Sequence, residues 1–143
     1  MRTIALRFAE TFAPECGTIA AHQHMIDRHG FVWYGKLGNP VSARVATDML
    51  KQEDSRFLLI HSGGSDRYWM HVESIQREVP ELDRIPSYYR AQAKDFGCWF
   101  KVVRIEKAEK SVMSKCVVSS SGKKLSLASR HSMSPYFIID YSE

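Results

Sequence analysis

His29 to Pro40, HGFVWYGKLGNP, carries three structural signals in succession. Cys16, Ile19, Ala20 and Ile26 recur at helical spacing between Pro14 and Arg28, and Gly30 stands where a glycine closes such a helix. FVWYGK then has the aromatic and β-branched composition of a strand, stopped by Gly35 and Gly38. Asn39 and Pro40 signal a second helix: a capping side chain precedes a proline whose missing N–H costs nothing in the first turn. Val41, Val45, Met49 and Leu50 supply its buried stripe. The stretch leaves one question, which is what Trp33, Tyr34 and Lys36 do side by side at a strand end.

Working outward, RTIALRFAE alternates as a strand that opens the sheet, with Ile4, Leu6 and Phe8 on one face. RFLLIHSGG and RYWMHVESIQREV read as a hairpin turning at Ser62 to Asp66, where Gly63 and Gly64 accept positive φ. IPSYYRAQAKDFG, from Pro86 to Gly97, is a short helix or helical turn. CWFKVVRIEKA is a strand with apolar groups on both faces, as a central position requires. KCVVSSSGKKLSL reads as a hairpin around Ser121 and Gly122, and YFIIDY as a closing strand. Regular βαβ alternation is absent, so a doubly wound parallel sheet is disfavoured. The expected fold is α+β: one domain over residues 1–143, with six or seven strands in a small mixed or antiparallel barrel and two to three flanking helices.

The 143 residues suffice for one hydrophobic core without disulfide or metal staples. Cys16, Cys98 and Cys116 are odd in number and match no ligand spacing, which points to free packing thiols and a cytoplasmic location. No segment approaches the apolar length of a membrane span. The net charge of +4 tilts the partner towards an anion, since clustered Lys and Arg attract phosphates.

Enzyme signatures are scarce. His22 and His24 are two apart on a helix and cannot chelate together, and neither an H-E-x-x-H pattern nor paired Cys/His spacing occurs, so no metal and no cofactor is expected. HSGGSD, residues 61–66, lacks the glycine spacing of a nucleophile elbow and suits a turn. The positive signal is aromatic. Trp33 and Tyr34, Tyr68 and Trp69, Tyr88 and Tyr89, Trp99 and Phe100 form four adjacent pairs, most beside a basic residue. Neighbours in a strand face opposite ways, so each pair can send one ring to the core and one to a cleft. Trp33, Tyr34, Trp69, Tyr88, Tyr89 and Trp99 are therefore candidate base-binding residues, and Lys36, Arg44, Arg67 and Arg90 candidate phosphate contacts.

GFVWYGKLGNP, the strand ending in HSGG, YWMHVESIQ and IPSYYR followed by GCWFKVVRIE together resemble the PUA-like superfamily, in particular its EVE and YTH-type branches, over about residues 29–107. The resemblance implies a barrel that holds a modified base in an aromatic cage, with Trp33, Trp69 and Trp99 as walls and Ser62 as a polar reader of the base edge. The first strand departs from the family in having no tryptophan. A cage of this kind stacks a flipped base while Lys and Arg at its rim hold phosphates. The resulting expectation is a non-catalytic reader of nucleic acid, with DNA carrying a modified base as partner. It would be a specificity module in a restriction system, fused to or associated with a nuclease or ATPase; the chain ending soon after YFIIDY fits a domain trimmed from such a protein and equally a complete small protein. The alternatives are an ASCH-like enzyme acting on a nucleoside or modified base through Lys36, Glu73 and Asp66, and a protein-interaction domain, which buried aromatics would favour.

Overall fold

The computed structural model describes residues 1–8, 15–61, 66–132 and 134–143. In chain order they form β1 (Arg2–Arg7), α1 (Thr18–His29), β2 (Val32–Leu37), α2 (Ala43–Leu50), β3 (Arg56–Ile60), β4 (Tyr68–Gln76), 3-10 turns at Leu82–Arg84 and Ser87–Asp95, β5 (Phe96–Lys107), a 3-10 turn at Val112–Lys115, β6 (Cys116–Val118), α3 (Leu125–His131) and β7 (Tyr136–Tyr141). The architecture is mixed α+β, with strand order β2-β5-β4-β3-β1-β7-β6. Strand β1 runs parallel to β3 and antiparallel to β7, while β2–β5 and β6–β7 are antiparallel. Among the described residues the order is linear, with β2 and β6 at its ends, so the expected barrel is not closed.

The chain divides into two compact units. Met1–Phe8, Arg56–Met70 and Glu106–Glu143 make the first. Its core gathers Ala5, Leu58, Ile60, Trp69, Leu125 and Ile139, with Cys116 buried among them. Strand β1 lies between β3 and β7 instead of opening the sheet, and Ile4, Ala5 and Leu6 are all buried, so both of its faces are covered. Ala9–Ser55 and His71–Ile105 make the second unit, whose core is aromatic: Trp33, Tyr89 and Trp99 with Ile85 and Ala93.

Several local expectations are met. Gly30 closes α1 at φ 87°, its N–H bonded to the Ile26 carbonyl. The strands β3 and β4 are neighbours, although the expected turn residues Ser62 to Ser65 lie outside the described residues. All three cysteines are free, and Cys98 and Cys116 are buried as packing residues, but Cys16 is exposed and does not pack as expected. Two further details differ. The cap of α2 is Ser42, whose hydroxyl accepts from Val45 N, so Asn39 and Pro40 belong to the approach to the helix. Gly122 turns the chain at φ 70° as the hairpin around Ser121 requires, but the returning arm pairs only at Lys124 with Val117 before Leu125 starts α3. Leu125 and Ala128 stand at i and i+3, and both pack on the first core, so one helical face buries what a strand would have split between two.

Gly35 answers part of the opening question. It pairs with Trp99 in the β2–β5 ladder, and a Cβ at position 35 would meet Trp99 Cζ3 at 2.8 Å and Phe96 Cδ1 at 2.9 Å. The WYG run therefore lets one indole lie flat against a strand backbone. Gly97 is tighter, since a Cβ there would fall on the Gly38 carbonyl oxygen, which is backbone and cannot rotate away. Gly35→Ala is expected to lower stability by about 1–3 kcal/mol, the usual range for overpacking, and Gly97→Ala by more. Urea denaturation of both variants checks the order.

Candidate functional site

The aromatics singled out in the sequence divide between the two units. In the second, Trp33, Tyr34, Tyr89 and Trp99 are buried and Tyr88 is half-buried. Tyr89 and Trp99 stack with centroids 6.2 Å apart, and Trp33 Nε1 donates to Glu81 Oε1 at 3.3 Å. Their neighbour His22 is fully enclosed: Nδ1 donates to the Thr18 carbonyl and Nε2 accepts from the Tyr89 hydroxyl, each at 2.8 Å. Burial lowers the His22 pKa to about 4, only partly opposed by the Thr18 bond, and raises that of Tyr89 well above its ordinary value. In the first unit Trp69 is buried, edge-on to Tyr141 at 5.1 Å and beneath the Arg56 guanidinium at 4.4 Å. Rings in these positions hold the cores together, and a base could stack on them only by opening the fold. Ser62 lies outside the described residues.

The candidate phosphate contacts also separate. Lys36 is buried, donates to the Asn39 carbonyl, and has its pKa lowered by burial against the opposing influence of Cys98. Arg90 Nε donates to the Ile85 carbonyl at 2.7 Å. Arg44 is exposed on α2. The carboxylates considered for chemistry are held in ion pairs: Glu73 with Lys101 and Asp66 with Lys107, both at 3.2 Å.

Of the four, Arg67 lines a cavity of about 250 Å³ in the first unit, together with Arg7, Ile60, His61, Met113, Ser126, Ser129 and Arg130. Parallel pairing of β1 with β3 sets Arg7 beside Ile60, so the two strands end together and His61 follows directly. Arg7 is locked in place: Nη2 donates to the Ser129 carbonyl and to that of Ser132 at 2.6 Å, and Nε to that of Ser134 at 3.0 Å. These carbonyls belong to the end of α3 and the residues after it, so the guanidinium caps a helix C-terminus, where positive charge is favoured. His61 packs on Phe8 with centroids 5.1 Å apart, and Phe8 meets Tyr68 edge-on at 6.3 Å. Burial lowers the Arg67 pKa against the pull of Asp66. The described lining thus gathers three arginines and a histidine around one concavity with no acidic residue among them, an arrangement suited to an anion.

Arg7, His61 and Arg130 were not singled out by the sequence reading. The signal was a polar residue ending each of two apolar runs, IALR and FLLIH, and it becomes a site only when those runs pair in parallel. Arg130 was hidden because it falls between the hairpin read over residues 115–127 and the closing strand YFIIDY, in a segment given no element of its own.

A second cavity of about 620 Å³ opens between Arg2, the serines at 119 and 120, and Ser134 to Ile138. It has a single cation. Among the described residues there is no group of three His, Cys, Asp or Glu side chains able to hold a metal, and no helix is long and apolar enough to cross a membrane.

Two outcomes follow from the buried groups. Trp69→Ala and Trp99→Ala should each cost about 3–5 kcal/mol of folding stability, measured by denaturant titration. His22 takes a proton in the unfolded chain below its ordinary 6.5 but in the folded chain only below about 4. Its contribution is therefore complete above pH 6.5 and declines as the pH falls towards 4, by about 3 kcal/mol in all. Stability measured across that range should fall less steeply in His22→Phe than in the parent.

No curated protein matches the chain, and no solved structure does. A family model described as Pua-like matches residues 4–135, which include most of β1, all of β2 to β6 and all three α-helices. By that match, and with a mixed α+β architecture to accompany it, the chain belongs to the Pua-like family.

Proposed function

We propose that the chain is a non-catalytic nucleic-acid-binding domain whose contact surface is the arginine-lined cavity of the first unit. The observation that carries this reading is the joining of Arg7, Arg67 and Arg130 around one concavity with His61, whose ring is backed by Phe8. Guanidiniums offer planar, paired donors to phosphate oxygens, and an imidazole supported by a second ring is a surface on which a base can stack. Membership of the Pua-like family supports the same ligand class. The finer reading, a flipped or modified base in DNA recognised by the specificity module of a restriction system, rests on the likeness to EVE and YTH-type domains. In this reading the base lies against His61 and not between Trp33, Trp69 and Trp99, which are core.

The test is fluorescence anisotropy with short DNA and RNA strands, modified and unmodified, over a range of salt. Affinity should fall steeply with salt as phosphate contacts release counterions, and Arg130→Ala should reduce the salt slope by about one without changing the preferred base. Arg130 is exposed at the end of α3 and has no described hydrogen bond to lose. Affinity that ignores salt, or an Arg130→Ala slope equal to the parent's, would remove this function from the cavity.

A further inference from the structure

Within the nucleic-acid reading, on which this inference rests, the cavity is more selective than a phosphate track needs to be. We propose that it binds a terminal phosphate, the phosphomonoester at one end of a strand, in preference to the phosphodiesters along it.

The argument begins with charge. An internal phosphodiester carries one negative charge and two non-bridging oxygens, whereas a phosphomonoester carries nearly two charges and three strong acceptor oxygens. Three arginines line the cavity from three separate places in the chain: Arg7 at the end of β1, Arg67 just before β4 and Arg130 at the end of α3. The adjacent carboxylate, Asp66, is paired with Lys107 at 3.2 Å and also acts on Arg67, so it offsets part of the positive charge at the rim. Convergence on one concavity, instead of a row along a groove, matches a compact dianion.

Donor availability points the same way. Arg7 uses Nε and Nη2 on the carbonyls of Ser129, Ser132 and Ser134, which leaves both hydrogens of Nη1 uncommitted among the described residues. The group is therefore fixed in orientation before any ligand arrives, so little rotamer entropy is lost when it binds. Arg130 makes no hydrogen bond or ion pair with the described residues and His61 makes only its ring contact with Phe8, so neither must abandon a partner. Size agrees too. At about 250 Å³ the cavity exceeds one phosphate group but falls short of the roughly 300–1,000 Å³ of clefts that enclose a drug-sized ligand. That space suits a phosphate and part of its nucleoside, with the ring of His61 at the side.

The experiment compares strands of one sequence ending in 5′-phosphate, 3′-phosphate or hydroxyl at both ends, with a nucleoside monophosphate as competitor. All are measured by anisotropy on the intact chain and on Arg67→Ala and Arg130→Ala, whose folding is checked by thermal melting. One phosphorylated end should bind about tenfold tighter than the hydroxyl-ended strand or better, as charge-assisted hydrogen bonds to an added group imply. The nucleoside monophosphate should compete, and both variants should bring the ratio close to one. Arg130 is exposed, so loss of the ratio in that variant with unchanged melting would assign the effect to the cavity. Equal affinity for all three strands would overturn the terminal-phosphate inference and leave the nucleic-acid reading standing. Binding of the monophosphate but of no strand would overturn the nucleic-acid reading and leave the phosphomonoester site, and no binding of either would overturn both.

Discussion

The guanidinium of Arg7 bridges β1 and the end of α3, and the cavity exists because of that bridge. It satisfies three carbonyls that the helix end and the following turn would otherwise leave to solvent, and it lies over the Phe137 ring at 5.6 Å. Hydrogen bonds to a charged group contribute about 1.5–3 kcal/mol each, more than neutral ones. One side chain thus sets the path from α3 into β7 and forms a wall of the site. A lysine could not replace it, because a single ammonium lacks the planar fork that reaches three separated carbonyls. In the proposed reading, structural and binding roles would be joined in one residue, and the site would inherit the rigidity of the fold.

The second unit is organised by close approach. Gly35 and Gly97 remove side chains where Trp99 and the Gly38 carbonyl come near, and the aromatic core closes over them. His22 and Tyr89 add a polar pair inside that core, acceptable because both imidazole nitrogens have partners and the ring stays neutral. Burying two large rings beside a glycine gives a small unit much apolar contact from few residues. It also explains why WYGK looks like an exposed binding motif in the sequence: the glycine resembles a strand end but is a docking place for an indole.

Much of the fold was legible because its signals are local. The Gly30 stop, the strand at Phe31 to Lys36, the α2 stripe and the two-faced strand at Cys98 to Ala108 each follow from periodicity, capping and turn chemistry within a few residues. The reading of KKLSL, residues 123–127, as the returning arm of a hairpin shows the limit. SGKKLSL is too short for period 2 and period 3.6 to separate, and only the core beneath Leu125 and Ala128 decides between them.

The sequence by itself determined that this is a mixed α+β chain with free cysteines, an excess of positive charge and an unusual number of paired aromatics. Those properties are sums and short-range patterns, which need no knowledge of distant neighbours. Only the tertiary structure decided which rings are core and which cations share a cavity. Trp33 and Trp99 face inward because antiparallel pairing sets Trp33 opposite Lys101 and Gly35 opposite Trp99, while Arg7 and His61, more than fifty residues apart, meet because β1 and β3 run parallel and end together. A strand's alternation tells which residues share a face but not which face is covered; that depends on partners whose distance along the chain the local pattern does not encode.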